Sequence, residues 1–186
     1  MCKLINRALQ WPGDRWIALS AVVISSCALI ASIDQAYRIR LHQRLSVRPY
    51  IGLSFNHNEE GAGWIMTNQG LGPAFVRWFS VTVDGIRHPH WEGVRAALGL
   101  PSPTDFTFVA PSPATVVPPN IPWKIFWAEP GPSAPILVRN YNRLLIEICY
   151  CSFYGECELK TSEIDRPVRN SCKAGPAPPF TAGPIP

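Results

Sequence analysis

Three side chains that could bind a metal lie close together in the sequence: His88, His90 and Glu92. Alternate side chains of an extended strand share one face, so this spacing could bind a transition metal or serve an enzyme. Pro89 and a helix start predicted at Trp91 break the alternation, which favours exposed loop histidines. No nucleotide-binding or serine-hydrolase motif occurs elsewhere in the sequence. We therefore expect no catalytic residue, no cofactor and no metal.

Four of the six cysteines lie near the end of the chain: Cys149, Cys151, Cys157 and Cys172. An even cluster in a small β-rich domain predicts two disulfides in an oxidising compartment. Of the three possible connectivities we expect Cys151 with Cys157, across a hairpin tip, and Cys149 with Cys172. Two alternatives remain open, a zinc ion held by the four thiolates in a reducing cytoplasm and free thiols.

Two further sets of residues could take part in binding. The oxygen-rich loop at residues 56–60 could bind calcium, but it lacks the spacing of an EF-hand, so a solvated hairpin loop is favoured. Trp78, Trp123 and Trp127 could form an aromatic platform, but their positions are more typical of sheet packing.

Composition excludes several classes of protein. The chain has 186 residues with 20 Pro, which argues against a helical bundle, and 47% hydrophobic residues, which argues against disorder. Residues 1–48 carry seven basic and two acidic side chains, whereas the longer remainder is almost neutral. The basic character therefore belongs to the start of the chain, and we expect no nucleic-acid partner.

Residues 16–33 form a run of 18 residues without a charged side chain. A helix of this length spans about 27 Å, close to the thickness of bilayer hydrocarbon. We predict a transmembrane helix over 16–33, after a short basic tail over 1–15 and before a helical stalk over 34–46. Cleavage by signal peptidase and lipidation at Cys27 are the alternatives to a permanent anchor. Basic residues are nearly balanced on the two sides of the span, so the positive-inside rule does not fix the orientation of the helix. The predicted disulfides favour a C-terminal domain outside the cytoplasm.

Short strands with frequent turn residues follow Pro49. We predict strands at 47–55, 64–68, 74–83, 86–88, 106–110, 123–128, 144–153 and 156–161, and a short helix at 89–98. Asp84-Gly85 is a strong hairpin signal. This pattern is typical of an antiparallel immunoglobulin-like β-sandwich over 47–172, with a disordered Pro/Gly/Ala-rich tail over 173–186. Pro49 further predicts an exposed sheet edge near 47–55 that could accept a partner strand.

The segment WIMTNQGLGPA at 64–74, followed by a strand that ends at Asp84-Gly85, resembles a structural signature of bacterial immunoglobulin-like domains. With residues 44–51 and 148–159, it is similar to uncharacterised bacterial single-pass membrane proteins that carry such a domain outside the membrane. The resemblance implies a fold and no activity. Gly70 and Gly72, before Pro73, would supply turn conformations closed to other residues, and Asn68 could bond to backbone.

These patterns indicate an interaction module rather than an enzyme. We expect a single-pass protein of the bacterial inner membrane, anchored in the bilayer by residues 16–33, with a periplasmic domain that binds an envelope protein. The alternatives are a cytoplasmic-facing protein with a zinc site, or an envelope enzyme that uses His88, His90 and Glu92.

Overall fold

The computed structural model describes residues 11–101, 105–169, 172, 175 and 177–183. Residues 1–10 of the predicted basic tail, and 173, 174, 176 and 184–186 of the predicted disordered tail, lie outside these residues. The chain divides into two units, Met1–Leu45 and Ser46–Pro186. Each unit is described by itself.

The first unit contains one long helix, α1, which covers Trp11–Ser46 and so continues into the second unit by one residue. It includes both the predicted span and the predicted stalk. From Trp16 onwards its large apolar side chains are exposed, and it is long and apolar enough to cross a membrane. Hydroxyl groups inside the apolar run bond back to carbonyls one turn earlier, Ser25 to Ala21 at 2.7 Å and Ser32 to Ala28 at 2.8 Å. These bonds satisfy polar groups that lipid could not.

The second unit is mainly β. Within its described residues the strands are β1 (Ile51–Asn58), β2 (Gly61–Asn68), β3 (Ala74–Val83), β4 (Ile86–His88), β5 (Phe106–Phe108), β6 (Val116–Val117), β7 (Pro122–Ala128), β8 (Leu144–Cys151), β9 (Cys157–Thr161) and β10 (Val168–Arg169). The expected mainly-β architecture with one apolar N-terminal helix is therefore confirmed.

The strands form two sheets in which the named strand pairs are antiparallel. The four-stranded sheet has the order β1-β2-β7-β5, and the larger sheet has the order β10-β9-β8-β3-β4, with β6 paired to the start of β3. In the larger sheet β3 pairs with β8, from Phe75 opposite Cys151 to Val83 opposite Leu144. Strands far apart in sequence thus lie next to one another.

Both sheets contribute to one hydrophobic core. Alternate residues of each strand face it, including Met66 from the four-stranded sheet and Phe79 and Ile148 from the larger sheet, all almost fully buried. Successive side chains of a strand point to opposite faces of the sheet, which explains why buried side chains alternate with less buried ones along β3 and β8. The outer face of β8 carries Leu145, Glu147 and Cys149.

The described part of this unit also contains two helices and a 3₁₀ turn. Helix α2 covers Trp91–Ala97, inside the predicted range 89–98, and buries Trp91 against Phe126. Helix α3 covers Ser133–Asn140 and leads into a 3₁₀ turn at Tyr141–Arg143. Helix α3 is absent from the sequence-based expectation because Pro132 and Pro135 argue against helix, although the first turn of a helix tolerates proline.

Part of the tail expected to be disordered is packed on the domain. Phe180 is 6% exposed and contacts the rings of Phe79 and Trp91, with centroids 5.2 and 4.9 Å away. The N–H of Thr181 donates to the carbonyl of Pro89 at 2.9 Å. One large aromatic side chain is enough to hold a Pro-rich segment when a core position receives it.

Candidate functional site: the edge of the four-stranded sheet

Strand β1 forms an edge of the four-stranded sheet, because β2 is its only paired strand among the described residues. The N–H of Ile51 turns away from β2 and donates to the hydroxyl of Tyr150 at 3.3 Å. Backbone direction alternates along an antiparallel strand, so the N–H and C=O groups of Leu53, Phe55 and His57 also face away from β2. Three residues thus offer backbone groups to an incoming strand.

The edge lacks the usual protection against pairing. Its eight residues, IGLSFNHN, contain no charged side chain and no proline. Sheet edges that avoid partners generally carry lysine, proline or a bulge, and the register of β1 with β2 is regular throughout. The described residues therefore leave β1 without those protective features.

The structure refines the predicted position of the edge. The expected strand began at residue 47, whereas pairing in β1 begins at Ile51, after Pro49. Ile51 is fully buried in the core and Leu53 packs against it, so the side chains of neither residue are free for a partner. The free groups are backbone atoms, which composition alone does not locate.

The chain that enters β1 is fixed to the larger sheet. The guanidinium of Arg48 pairs with the carboxylate of Glu158, which also accepts a hydrogen bond from the Tyr150 hydroxyl at 3.0 Å. The Tyr50 hydroxyl donates to the carbonyl of Asp165 at 3.0 Å. Burial, followed by the neighbouring Glu158, raises the pKa of Tyr150 above its usual range, so its phenol stays protonated. These contacts hold the start of the edge strand in one position.

Asn68 organises the turn that supports this entry. The side chain is fully buried, and its Oδ1 accepts from the N–H groups of Tyr50 and Gly70, both at 3.1 Å. Its Nδ2 donates to the carbonyls of Gly72 at 2.8 Å and Val117 at 3.0 Å. The amide thus makes four bonds to backbone, consistent with the role expected for it at the strand end.

The two glycines of this turn act differently from the expectation. Neither Gly70 nor Gly72 has a positive φ, so neither provides a conformation closed to other residues. A Cβ on Gly72 would lie 1.7 Å from the carbonyl oxygen of Val47, and one on Gly70 would lie 2.3 Å from that of Arg48. They are required because the turn, which leads through Pro73 into β3, packs against residues 47–50.

Asp84 and Gly85, where the sequence predicts a hairpin, form a tight turn. Asp84 and Gly85 have φ of 51° and 80°, and they connect Val83 of β3 to Ile86 of β4. The carboxylate of Asp84 pairs with Arg143, whose hydrogen bonds hold the pKa of Asp84 below its usual range. This turn shapes the larger sheet and is remote in sequence from the free edge.

A cluster of aromatic rings lies beside β1 at Phe55. The rings of Phe55 and Tyr141 stack with centroids 4.5 Å apart, and Trp64 lies edge-on to Phe55 at 5.7 Å. Tyr141 is 42% exposed, while Phe55 is half-buried. A strand added beside β1 would therefore meet an apolar surface as well as backbone groups.

The structure brings the four clustered cysteines together in two disulfides, Cys149–Cys172 and Cys151–Cys157. Cys151 and Cys157 face each other across the β8–β9 hairpin, and Cys149 ties β8 to the chain beyond β10. Sulfur atoms bonded in this way cannot also act as the four thiolate ligands of a zinc ion. Cys27 is a free, exposed thiol on α1.

His88 and His90 both lie beside Gly93 at the start of α2. The Nδ1 of His90 accepts from the N–H of Gly93 at 3.2 Å and caps α2, while Glu92 pairs with Arg95 on the exposed side of that helix. Within the described part of the chain, no group of three His, Cys, Asp or Glu side chains could hold a metal.

The oxygen-rich loop forms the tip of the β1–β2 hairpin, where the Asn58 Oδ1 accepts from the N–H of Glu60 at 3.0 Å. Trp127, one of the three expected sheet tryptophans, is buried and donates to the carbonyl of Glu60 at 3.1 Å. Both features are consistent with packing roles.

The outer face of the larger sheet carries a row of polar side chains that was not predicted from the sequence. Ser80 and Thr161 lie directly opposite Glu147 on its two neighbouring strands. Their buried hydroxyl oxygens have no hydrogen-bond partner within the described residues. Burial, followed by repulsion from Glu163, raises the pKa of Glu147. A lone glutamate in the apolar strand LLIEICYC was the available signal.

Comparison with protein-family models gives no match, and comparison with curated proteins and with solved structures gives none either.

Proposed function

We propose that this chain is a single-pass protein of a bacterial inner membrane that presents an immunoglobulin-like domain in the periplasm. The domain binds an extended segment of an envelope protein by strand addition along β1. The single observation that carries this function is the regular, uncharged edge of β1, with backbone groups of Leu53, Phe55 and His57 facing away from the sheet.

The strand order supports the immunoglobulin-like assignment. In such domains one sheet has the order A-B-E-D and the other the order G-F-C. The order β1-β2-β7-β5 corresponds to the first, and β9-β8-β3 corresponds to the second, with β4 as an added strand beside β3. The disulfides differ from the usual link between strands B and F, because both of them involve β8, the F strand.

The cysteines and the helix support the proposed compartment. Helix α1 supplies the anchor, and two disulfides in the unit after it favour an oxidising compartment. Thiol labelling of intact spheroplasts tests this assignment in a Cys2→Ser, Cys27→Ser variant, which leaves only the four clustered cysteines. Labelling by an impermeant maleimide only after an impermeant reductant is expected, whereas labelling only after lysis would place the domain in the cytoplasm.

Strand addition is tested by removing one outward-facing donor. His57→Pro deletes an N–H on the free side of β1, whereas His57→Ala removes the same exposed side chain and keeps that N–H. A photo-crosslinking residue at Asn56 of the full chain in cells would trap the partner beside the edge. We expect His57→Pro to lower the trapped fraction about three- to tenfold, the effect of one backbone hydrogen bond, and His57→Ala to leave it unchanged.

Thermal unfolding of both variants provides the control for folding. The interpretation requires that His57→Pro and His57→Ala unfold within a few degrees of each other. Equal trapping in the two folded variants, or a product trapped equally well from a position on α3, would contradict strand addition.

A further inference from the structure

A cleft opens on the larger sheet beside the β8–β9 hairpin. It has a volume of about 720 Å³, and its walls come from the start of β3, residues 113–116 and the hairpin tip. Phe75, Val76, Pro113, Val116 and Phe153 make most of this lining apolar. Small-molecule sites typically have volumes of 300–1,000 Å³ and apolar walls. The cleft has the size and character of a ligand site.

Arg77 is the one charged side chain among the described residues that line the cleft. The pairing of β3 with β8 passes from Val76 opposite Tyr150 to Trp78 opposite Cys149, so Arg77 is the extra residue of a β-bulge. Bulges redirect a side chain and recur beside functional sites. Arg77 is exposed and forms no ion pair within the described residues. Its guanidinium is therefore available to an anion in the cleft.

The tip of the β8–β9 hairpin, which forms one wall of the cleft, is held in place before any ligand binds. The Cys151–Cys157 disulfide closes the base of the hairpin, and the hydroxyl of Ser152 accepts from the N–H groups of Tyr154 at 3.2 Å and Glu156 at 3.3 Å. This tip holds Phe153 72% exposed. An exposed aromatic ring on a covalently closed turn loses little entropy when a ligand packs against it.

We propose that this cleft binds a small carboxylic acid with an apolar body, whose carboxylate pairs with Arg77 and whose body packs against Phe153 and Val116. A guanidinium binds a carboxylate through two parallel hydrogen bonds, which orients the ligand. The apolar part of the described lining accepts the rest of the molecule. This site lies on the opposite sheet from β1 and does not depend on strand addition.

The test uses the full chain in lipid nanodiscs and two water-soluble probes, 3-phenylpropionate and its neutral amide, 3-phenylpropanamide. Binding is measured by calorimetry and by saturation-transfer NMR. We expect the carboxylate to bind about tenfold more tightly than the amide, the usual effect of one charged hydrogen-bonded pair. Arg77→Gln should remove this difference and leave the affinity for the amide unchanged.

Two variants separate the charge from the apolar wall. Phe153→Ala should weaken binding of both probes, because it removes contact area and no charge. Arg166→Gln, a change at an exposed arginine that does not line the cleft, should alter neither affinity. Absence of binding to the wild type, equal affinity for the two probes, or an unchanged difference in Arg77→Gln would overturn the proposal.

Discussion

The guanidinium of Arg48 forms an ion pair with the carboxylate of Glu158, which is 4% exposed. The pair joins the residue that follows α1 by two positions to β9, a strand 110 residues later in the chain. It thereby fixes the start of β1, whose free edge is the proposed binding surface. A buried charge of this kind requires its partner.

Replacing Arg48 with methionine should destabilise the domain by about 2 kcal/mol, because the buried Glu158, which accepts a bond from the Tyr150 hydroxyl, would lose the guanidinium that balances its charge. Glu158→Gln should cost less, since the amide oxygen still accepts that bond. Thermal unfolding of the full chain in detergent measures both. A loss in Arg48→Met no larger than in Arg166→Met, at an exposed arginine, would show that the pair contributes little.

Alanine at Gly72 should be far more damaging than alanine at Gly85. At Gly72 the new Cβ would lie 1.7 Å from the Val47 carbonyl oxygen, so backbone must move, and we expect a loss of about 3 kcal/mol or more. At Gly85 the Cβ meets nothing within 4 Å and only the φ of 80° is strained, which costs about 1 kcal/mol. The same unfolding experiment compares them, and equal losses would contradict the close approach.

Removal of the Phe180 side chain should destabilise the domain by about 3 kcal/mol, the usual cost of truncating a buried phenylalanine. Phe153→Ala is the matched control, because this ring is 72% exposed and its loss should change stability by less than about 0.5 kcal/mol. If the two substitutions had the same effect on the unfolding temperature, Phe180 would not be docked in the core.

Glu147 should make stability depend on pH. Its pKa is raised in the folded state, so the native carboxyl keeps its proton at pH values where the unfolded chain has lost it. Stability relative to Glu147→Gln should therefore be greatest below the ordinary carboxyl pKa of 4.5 and fall as the pH rises through the raised pKa.

Melting temperatures of the wild type and Glu147→Gln between pH 4 and 8 measure this difference. Glu156→Gln, at an exposed glutamate, is the control and should show no such trend. A difference between wild type and Glu147→Gln that stays constant across this range would mean that burial does not perturb the carboxyl.

Strands with clear alternation were predictable from the sequence. The range predicted for the third strand, residues 74–83, equals β3, because its apolar residues alternate and Asp84-Gly85 follows it. Helix α3 could not be predicted, because Pro132 and Pro135 argue against helix unless their position in the first turn is known. Local sequence patterns were therefore sufficient to predict an element where they favour the same secondary structure as the fold does.

The candidate sites depended on contacts that no local pattern encodes. Arg77 stood out as a charge inside the apolar strand AFVRWFSVTV, but only the shifted pairing with β8 shows it as a bulge at the wall of a cleft. Phe180 lies in a Pro-rich segment whose composition indicates disorder. Its burial depends on the pocket around Trp91, some ninety residues earlier in the chain.

The sequence by itself determined the apolar helix, the β-rich domain after it and the even cysteine cluster, because these follow from side-chain hydropathy, short periodicities and counting. Only the tertiary structure decided that β1 lies at an edge, that Asn68 satisfies four backbone groups and that Gly72 packs against Val47. The physical reason is that strand neighbours and close approaches are chosen by burial and hydrogen bonding between residues far apart in the chain. Those interactions depend on the whole fold and cannot be read from any one segment of the sequence.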